Sequence, residues 1–141
     1  TWRFIIVRDN ATKEKLAQTA LSAGNRGFEA LKQAPVALVV CAELNKSGCR
    51  DGKPLTNKEG YWYMFDAAIA MQNMGLAAWA EGLGTCYLGG FDAAAADKTL
   101  GVPAGYAVVA MTPLGYPAEN PPAKPRKDFS EIVMQEKFGG K

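Results

Sequence analysis

Apolar positions along the chain come in blocks separated by polar and glycine-rich breaks. Residues 2–8, Trp-Arg-Phe-Ile-Ile-Val-Arg, are β-branched and aromatic, which predicts a strand. Asp9-Asn10 reads as a turn and a helix start. Residues 11–21 then place apolar side chains at Leu16, Ala17, Ala20 and Leu21, the spacing of an amphipathic helix. Residues 22–25 break that helix, and 28–32 predict a further helical turn. Residues 34–42 are apolar without interruption, as expected of a central strand buried on both faces, with Pro35 at the start where a missing N–H is tolerated. Residues 44–58 are polar and predict a loop, either solvated or covering a pocket.

Residues 61–80 predict the longest element, a helix of roughly 30 Å at the usual rise. Its strongly polar residues are Asp66, Gln72 and Asn73, near its middle, which argues against a membrane span. A helix apolar nearly all round must be buried on most sides. In so small a chain this predicts a homodimer with the helix near the interface.

The stretch Glu81-Gly-Leu-Gly-Thr-Cys-Tyr-Leu-Gly-Gly-Phe91 is the centre around which the rest of the chain is organised. Gly82 and Gly84 predict a left-handed helix exit, and residues 85–88 predict a strand. Gly89 and Gly90 leave backbone bare just before Asp92, a good N-cap for a helix over 93–100. Bare amides beside a helix N-terminus suit a planar or anionic ligand; a tight connection is the alternative. The spacing is no dinucleotide fingerprint, because the third glycine would fall at Tyr87 and the first comes after a helix. Residues 101–105 predict a turn, 106–112 a strand, and Pro113-Leu-Gly-Tyr-Pro117 its close. The proline-rich residues 118–127 predict extended chain. There Lys124 and Arg126, two apart, point to one side and suit a phosphate, a solvated linker being the alternative. Residues 129–138 have weak helical spacing and predict an arm on a partner subunit.

Composition adds exclusions. At 141 residues, 48% apolar and 21% charged, the chain predicts one ordinary globular domain. A net charge of +2 implies no polyelectrolyte partner, and the basic cluster at 124–127 gives nucleic-acid binding little support. Cys41, Cys49 and Cys86 fit neither a disulfide framework nor a zinc ribbon; they predict reduced thiols and a cytoplasmic setting, with Cys41 in the core. With no histidine, serine–histidine and cysteine–histidine catalysis are excluded within the chain, and no metal is expected. Any enzymatic chemistry would fall to a bound cofactor.

Four segments in order resemble the nitroreductase-like, FMN-dependent oxidoreductases: Trp2-Arg-Phe-Ile-Ile-Val7, Phe65-Asp-Ala-Ala-Ile-Ala-Met-Gln-Asn73, residues 81–91, and Pro113-Leu-Gly-Tyr-Pro117 with Lys124-Pro-Arg-Lys127. The resemblance implies an α+β fold, a mostly antiparallel sheet flanked by helices, in an intertwined homodimer with FMN at the subunit interface. It implies that the backbone of Leu88, Gly89 and Gly90 lies against the flavin ring, that Tyr87 borders it, and that Lys124 and Arg126 reach the phosphate. It also implies a segment before Thr1 with an Arg-Arg-Ser-x-Arg and a Pro-Ser-x-x-Asn motif. Neither is found in this sequence, so the chain reads as a single domain over 1–141 without that segment. The activity implied is hydride transfer from NADH or NADPH through flavin to nitroaromatic or quinone-type acceptors, by ping-pong kinetics. Alternatives are a reductive dehalogenase or dehydrogenase of the same family, and a flavin-fold binding or sensor module impaired in turnover.

Overall fold

The computed structural model describes residues 1–22, 24–25 and 27–140. In chain order the elements are β1 (Trp2–Val7), α1 (Asn10–Ala20), α2 (Gly27–Gln33), β2 (Val36–Glu43), β3 (Cys49–Arg50), β4 (Lys53–Pro54), α3 (Trp62–Ala80), β5 (Gly84–Thr85), α4 (Ala93–Leu100), β6 (Tyr106–Gly115) and α5 (Phe129–Ile132). The main sheet has the order β1-β2-β6-β5, with every neighbour antiparallel. The chain is thus α+β, with helices on both faces of an antiparallel sheet.

The apolar run of β2 makes it an inner strand, paired on one edge with β1 and on the other with β6. Its Ala37, Val39 and Cys41 face one core with Val7, Leu16, Ala17, Leu31, Ala96, Val108 and Met111. Its Val40 faces a second, smaller core with Ala67 and Met71 of α3. Strict alternation would put Val108 and Met111 on opposite faces. The register shift opposite Val40 and Cys41 gives β6 one extra residue, so both side chains reach the same core.

Local chemistry fixes the helix ends. The Asp9 carboxylate accepts from the Thr12 amide at 2.8 Å and caps α1. Hydrogen bonds from Thr12 hold the Asp9 carboxyl below its usual value. Lys13 of α1 is buried, and its Nζ donates to the Ala34 carbonyl just before β2. Asp97 of α4 accepts from the Val108 amide at 2.7 Å, which ties that helix to β6. The α4 helix ends at Gly101 in the left-handed conformation, φ 66°.

Several expected boundaries move. The 44–58 loop contains the β3–β4 hairpin. The last strand runs through Pro113 to Gly115, because an antiparallel strand alternates the edge to which its amides point. Met111 bonds toward Leu88, so Pro113, two residues on, turns its missing N–H to that same edge and away from β2. Residues 85–88 do not form one strand. Pairing stops at Thr85 and resumes as a single bridge, Leu88 to Met111, because the Cys86 amide donates to the Thr112 hydroxyl at 3.0 Å instead of to a strand. The expected helix over 129–138 is one capped turn.

α3 departs most from simple burial. Ala67, Met71 and Ala78 are its buried residues, while Phe65, Ile69, Leu76 and Trp79 are exposed, Trp79 to 73%. On the same side of the sheet, Trp2, Phe4 and Ile6 of β1 also lie open, whereas Ile5 and Val7 turn to the larger core. Asp66 finds a partner in the Thr1 hydroxyl, 3.2 Å away. Among the described residues no helix is long and apolar enough to cross a membrane.

Candidate functional site

The glycine stretch is held from both ends. Gly82 ends α3 at φ 73°, as the sequence predicts. Gly84 has no positive φ; it is small for another reason, since a Cβ there would meet Pro117 at 3.3 Å. Leu88 exchanges both backbone hydrogen bonds with Met111, at 2.8 and 3.1 Å, and its side chain is buried against Gly27. Phe91 bridges Leu21, and the Asp92 amide donates to the Ala20 carbonyl at 2.8 Å. The Asp92 carboxylate then caps α4, accepting from the Ala95 amide at 3.0 Å.

Gly89 and Gly90 lie between these anchors, exposed. Among the described residues, a Cβ on either would meet nothing within 4 Å. Among the described residues, neither amide donates a hydrogen bond. The Leu88 amide, by contrast, is already committed to Met111. Beside them a cleft of about 400 Å³ runs between the end of α1 and the start of α4, with Gly90, Phe91 and Asp92 in its wall. The arrangement offers bare peptide surface and free N–H groups one turn from a helix N-terminus, a setting for a flat, electron-rich group.

Tyr87 leaves the strand line and crosses to α3. Its hydroxyl lies 3.3 Å from both the Met71 carbonyl and Gln72 Oε1. Gly75 makes that approach possible, since a Cβ there would collide with the tyrosine hydroxyl. The ring stays half exposed beside the glycines. Lys124 and Arg126 lie on the extended strap after β6, both exposed. Among the described residues, neither makes a hydrogen bond or ion pair. The strap lines a hollow of about 920 Å³ against Gly75, Trp79 and residues 82–85, which ends at Ala123. Tyr87, Leu88, Gly89 and Gly90 are thus consecutive on the glycine stretch, and Lys124 and Arg126 lie on the strap just after Ala123.

Two contributors went unnoticed in the sequence. Thr112, buried, accepts from the Cys86 amide and donates to the Pro113 carbonyl, which shapes the gap in the sheet edge. Asn25 donates from Nδ2 to the Gly90 carbonyl at 3.0 Å. Its place in the sequence Ser-Ala-Gly-Asn gives no sign of a contact sixty-five residues away. Cys41 is a core thiol, pushed up to about 11 by burial and then by the Asp97 carboxylate.

The chain matches the nitroreductase family over residues 1–116. It is 34% identical over 140 residues to the NADPH-flavin oxidoreductase of Vibrio harveyi, with 94% of this chain and 55% of that protein covered. Among solved structures it resembles a nitroreductase family protein from Clostridium novyi NT, with a TM-score of 0.71 and 32% identity over 99% of this chain and 72% of the other. It also resembles the FMN-dependent nitroreductase of Clostridium difficile R20291, with a TM-score of 0.74 and 25% identity over 97% of this chain and 76% of the other. The chain spans 64% and 55% of the lengths of two curated relatives, less than two thirds in each case.

Proposed function

This chain belongs to the nitroreductase family, and from that premise we propose that it is an NAD(P)H-dependent flavin oxidoreductase using FMN. The carrying observation is the pair Gly89 and Gly90, exposed and, among the described residues, with undonated amides and open space where side chains would stand, between anchors at Leu88 and Asp92. A flavin ring fits such a surface because it needs close backbone approach and N–H donors. Relatives named NADPH-flavin oxidoreductase and FMN-dependent nitroreductase support the same cofactor. Bound there, FMN would supply the two-electron chemistry that no side chain here provides.

The residues divide the work. Gly89 and Gly90 provide the N–H donors and, with the α4 N-terminus, stabilise negative charge on the group they face. Tyr87 borders that surface, and the Leu88 backbone holds it to the sheet. Lys124 and Arg126, two apart on extended chain and otherwise unengaged among the described residues, take the phosphate. The exposed apolar face of α3 and β1 packs against a second copy, giving a homodimer with the flavin sites at its interface. A single open face serves the nicotinamide donor and then a small electron-poor acceptor, nitroaromatic or quinone, which predicts ping-pong kinetics. The domain over 1–141 acts in the cytoplasm.

The deciding experiment is an absorbance spectrum of the purified chain after incubation with FMN and gel filtration. Retained flavin absorbance in a one-to-one ratio, with NAD(P)H-dependent reduction of a nitroaromatic, is the expected result. A colourless protein after saturating FMN overturns the reading for this chain.

A further inference from the structure

We infer that Asn25 is a positioning residue that holds the Gly90 carbonyl and so aims the Gly90 amide; the inference rests on the flavin reading for its consequence, though not for its geometry. A trans peptide is planar, so fixing a carbonyl fixes the N–H on its other side. The Leu88 carbonyl accepts from the Met111 amide at 3.1 Å. The Gly89 N–H, in the same peptide plane, must point the opposite way, out from the sheet edge. Asn25 fixes the next-but-one plane, because its Nδ2 holds the Gly90 carbonyl at 3.0 Å. The peptide between them, which carries the Gly90 N–H, is suspended between two fixed planes. Without the Asn25 contact, the glycine pair would keep on that side the Leu21–Phe91 bridge as its restraint, with no side chain on the Gly90 carbonyl itself, and glycines sample more backbone conformations than any other residue.

Asn25 is itself immobilised. Its amide donates to the Ser22 carbonyl and its carbonyl accepts from the Phe28 amide, each at 3.0 Å. Its Oδ1 accepts from the Gly27 amide at 2.8 Å, at the start of α2. That bond leaves only one sense for the side-chain amide: Oδ1 toward the Gly27 donor, Nδ2 toward the Gly90 acceptor. Asparagine carries its acceptor and its donor on separate atoms, so Oδ1 serves the helix start while Nδ2 reaches the glycine carbonyl. Asn25 therefore links the start of α2 to the face of the site.

The two roles separate by substitution. Asn25→Ser keeps a neutral acceptor for the start of α2 and removes Nδ2, leaving a hydroxyl one bond too short to reach the Gly90 carbonyl. Asn25→Ala removes both. In ¹⁵N relaxation of the full chain without flavin, Asn25→Ser is expected to lower the order of the Gly90 amide while leaving the Gly89 amide, held by the Leu88–Met111 pair, and residues 27–33 unchanged. In FMN titrations its dissociation constant is expected to rise about three- to tenfold, as for the loss of one neutral hydrogen bond, at an unchanged melting temperature. Asn25→Ala should show the same two changes together with a lower melting temperature. Unchanged Gly90 order in Asn25→Ser overturns the positioning role, whatever the flavin does. If the unaltered chain takes up no FMN, the proposed function fails, and the relaxation measurement still decides the role of Asn25.

Discussion

The two faces of the sheet differ in kind. On one, α1, α2 and α4 close over Val7, Leu31, Val39, Cys41, Val108 and Met111, and the core is complete within the chain. On the other, α3 alone covers the sheet, burying a narrow stripe of Ala67, Met71 and Ala78, with its large apolar side chains and those of β1 left outside. Equal hydrophobicity in the sequence thus serves two purposes: one set of side chains folds the chain, and the other is surface that needs a cover. The glycine stretch belongs to the completed face by its anchors, Met111 and Ala20, and to neither face by its exposed backbone.

Leu31→Ala on the completed face should produce the largest effect, a loss of about 2–5 kcal/mol in denaturant unfolding, as for a fully buried leucine. Trp79→Ser on the open face should leave unfolding of the protomer almost untouched and instead shift sedimentation toward monomer. Comparable losses of stability from the two variants would erase the distinction between the faces. Gly90→Val probes the rim. Because a Cβ at Gly90 meets nothing within 4 Å among the described residues, the variant should fold and associate normally yet retain no FMN; stoichiometric yellow protein would remove Gly90 from the site.

Arg126→Ala should weaken FMN by about 1.5–3 kcal/mol, the worth of a charge-assisted contact, with no change in unfolding. An unaltered FMN dissociation constant would make the strap a solvated tail. Asp92→Ala should cost about 1 kcal/mol through the lost α4 cap, seen as a lowered melting temperature. The smallest effect is a contrast of thiols. Exposed Cys86 should alkylate readily at mild alkaline pH, while Cys41 stays protected until unfolding. Because burial raises the Cys41 pKa, its neutral thiol contributes stability that is fully present below the ordinary thiol range near 9 and is lost as pH rises through about 11. Stability that stays flat across that window would place the Cys41 thiol in a more polar setting than the core.

The order of elements was legible in the residues themselves. The unbroken apolar run before Cys41 specified an inner strand, Asp9 and Asp92 specified helix starts, and Gly82 a left-handed exit, because each acts through neighbours a few residues away. The bare backbone at Gly89 and Gly90 was legible for the same reason. What only the tertiary structure decided are the long-range pairings. The Thr112 hydroxyl interrupts the strand after Thr85, the extra residue in β6 reorients Val108 and Met111, and Asn25 reaches Gly90 across the fold. No local preference encodes these contacts, since each joins side chain or register to backbone distant in sequence and exists only once the sheet is assembled. The large apolar residues of α3 obey the same rule: composition required that they be covered, and only the packing of the chain determined that its own core would not do so.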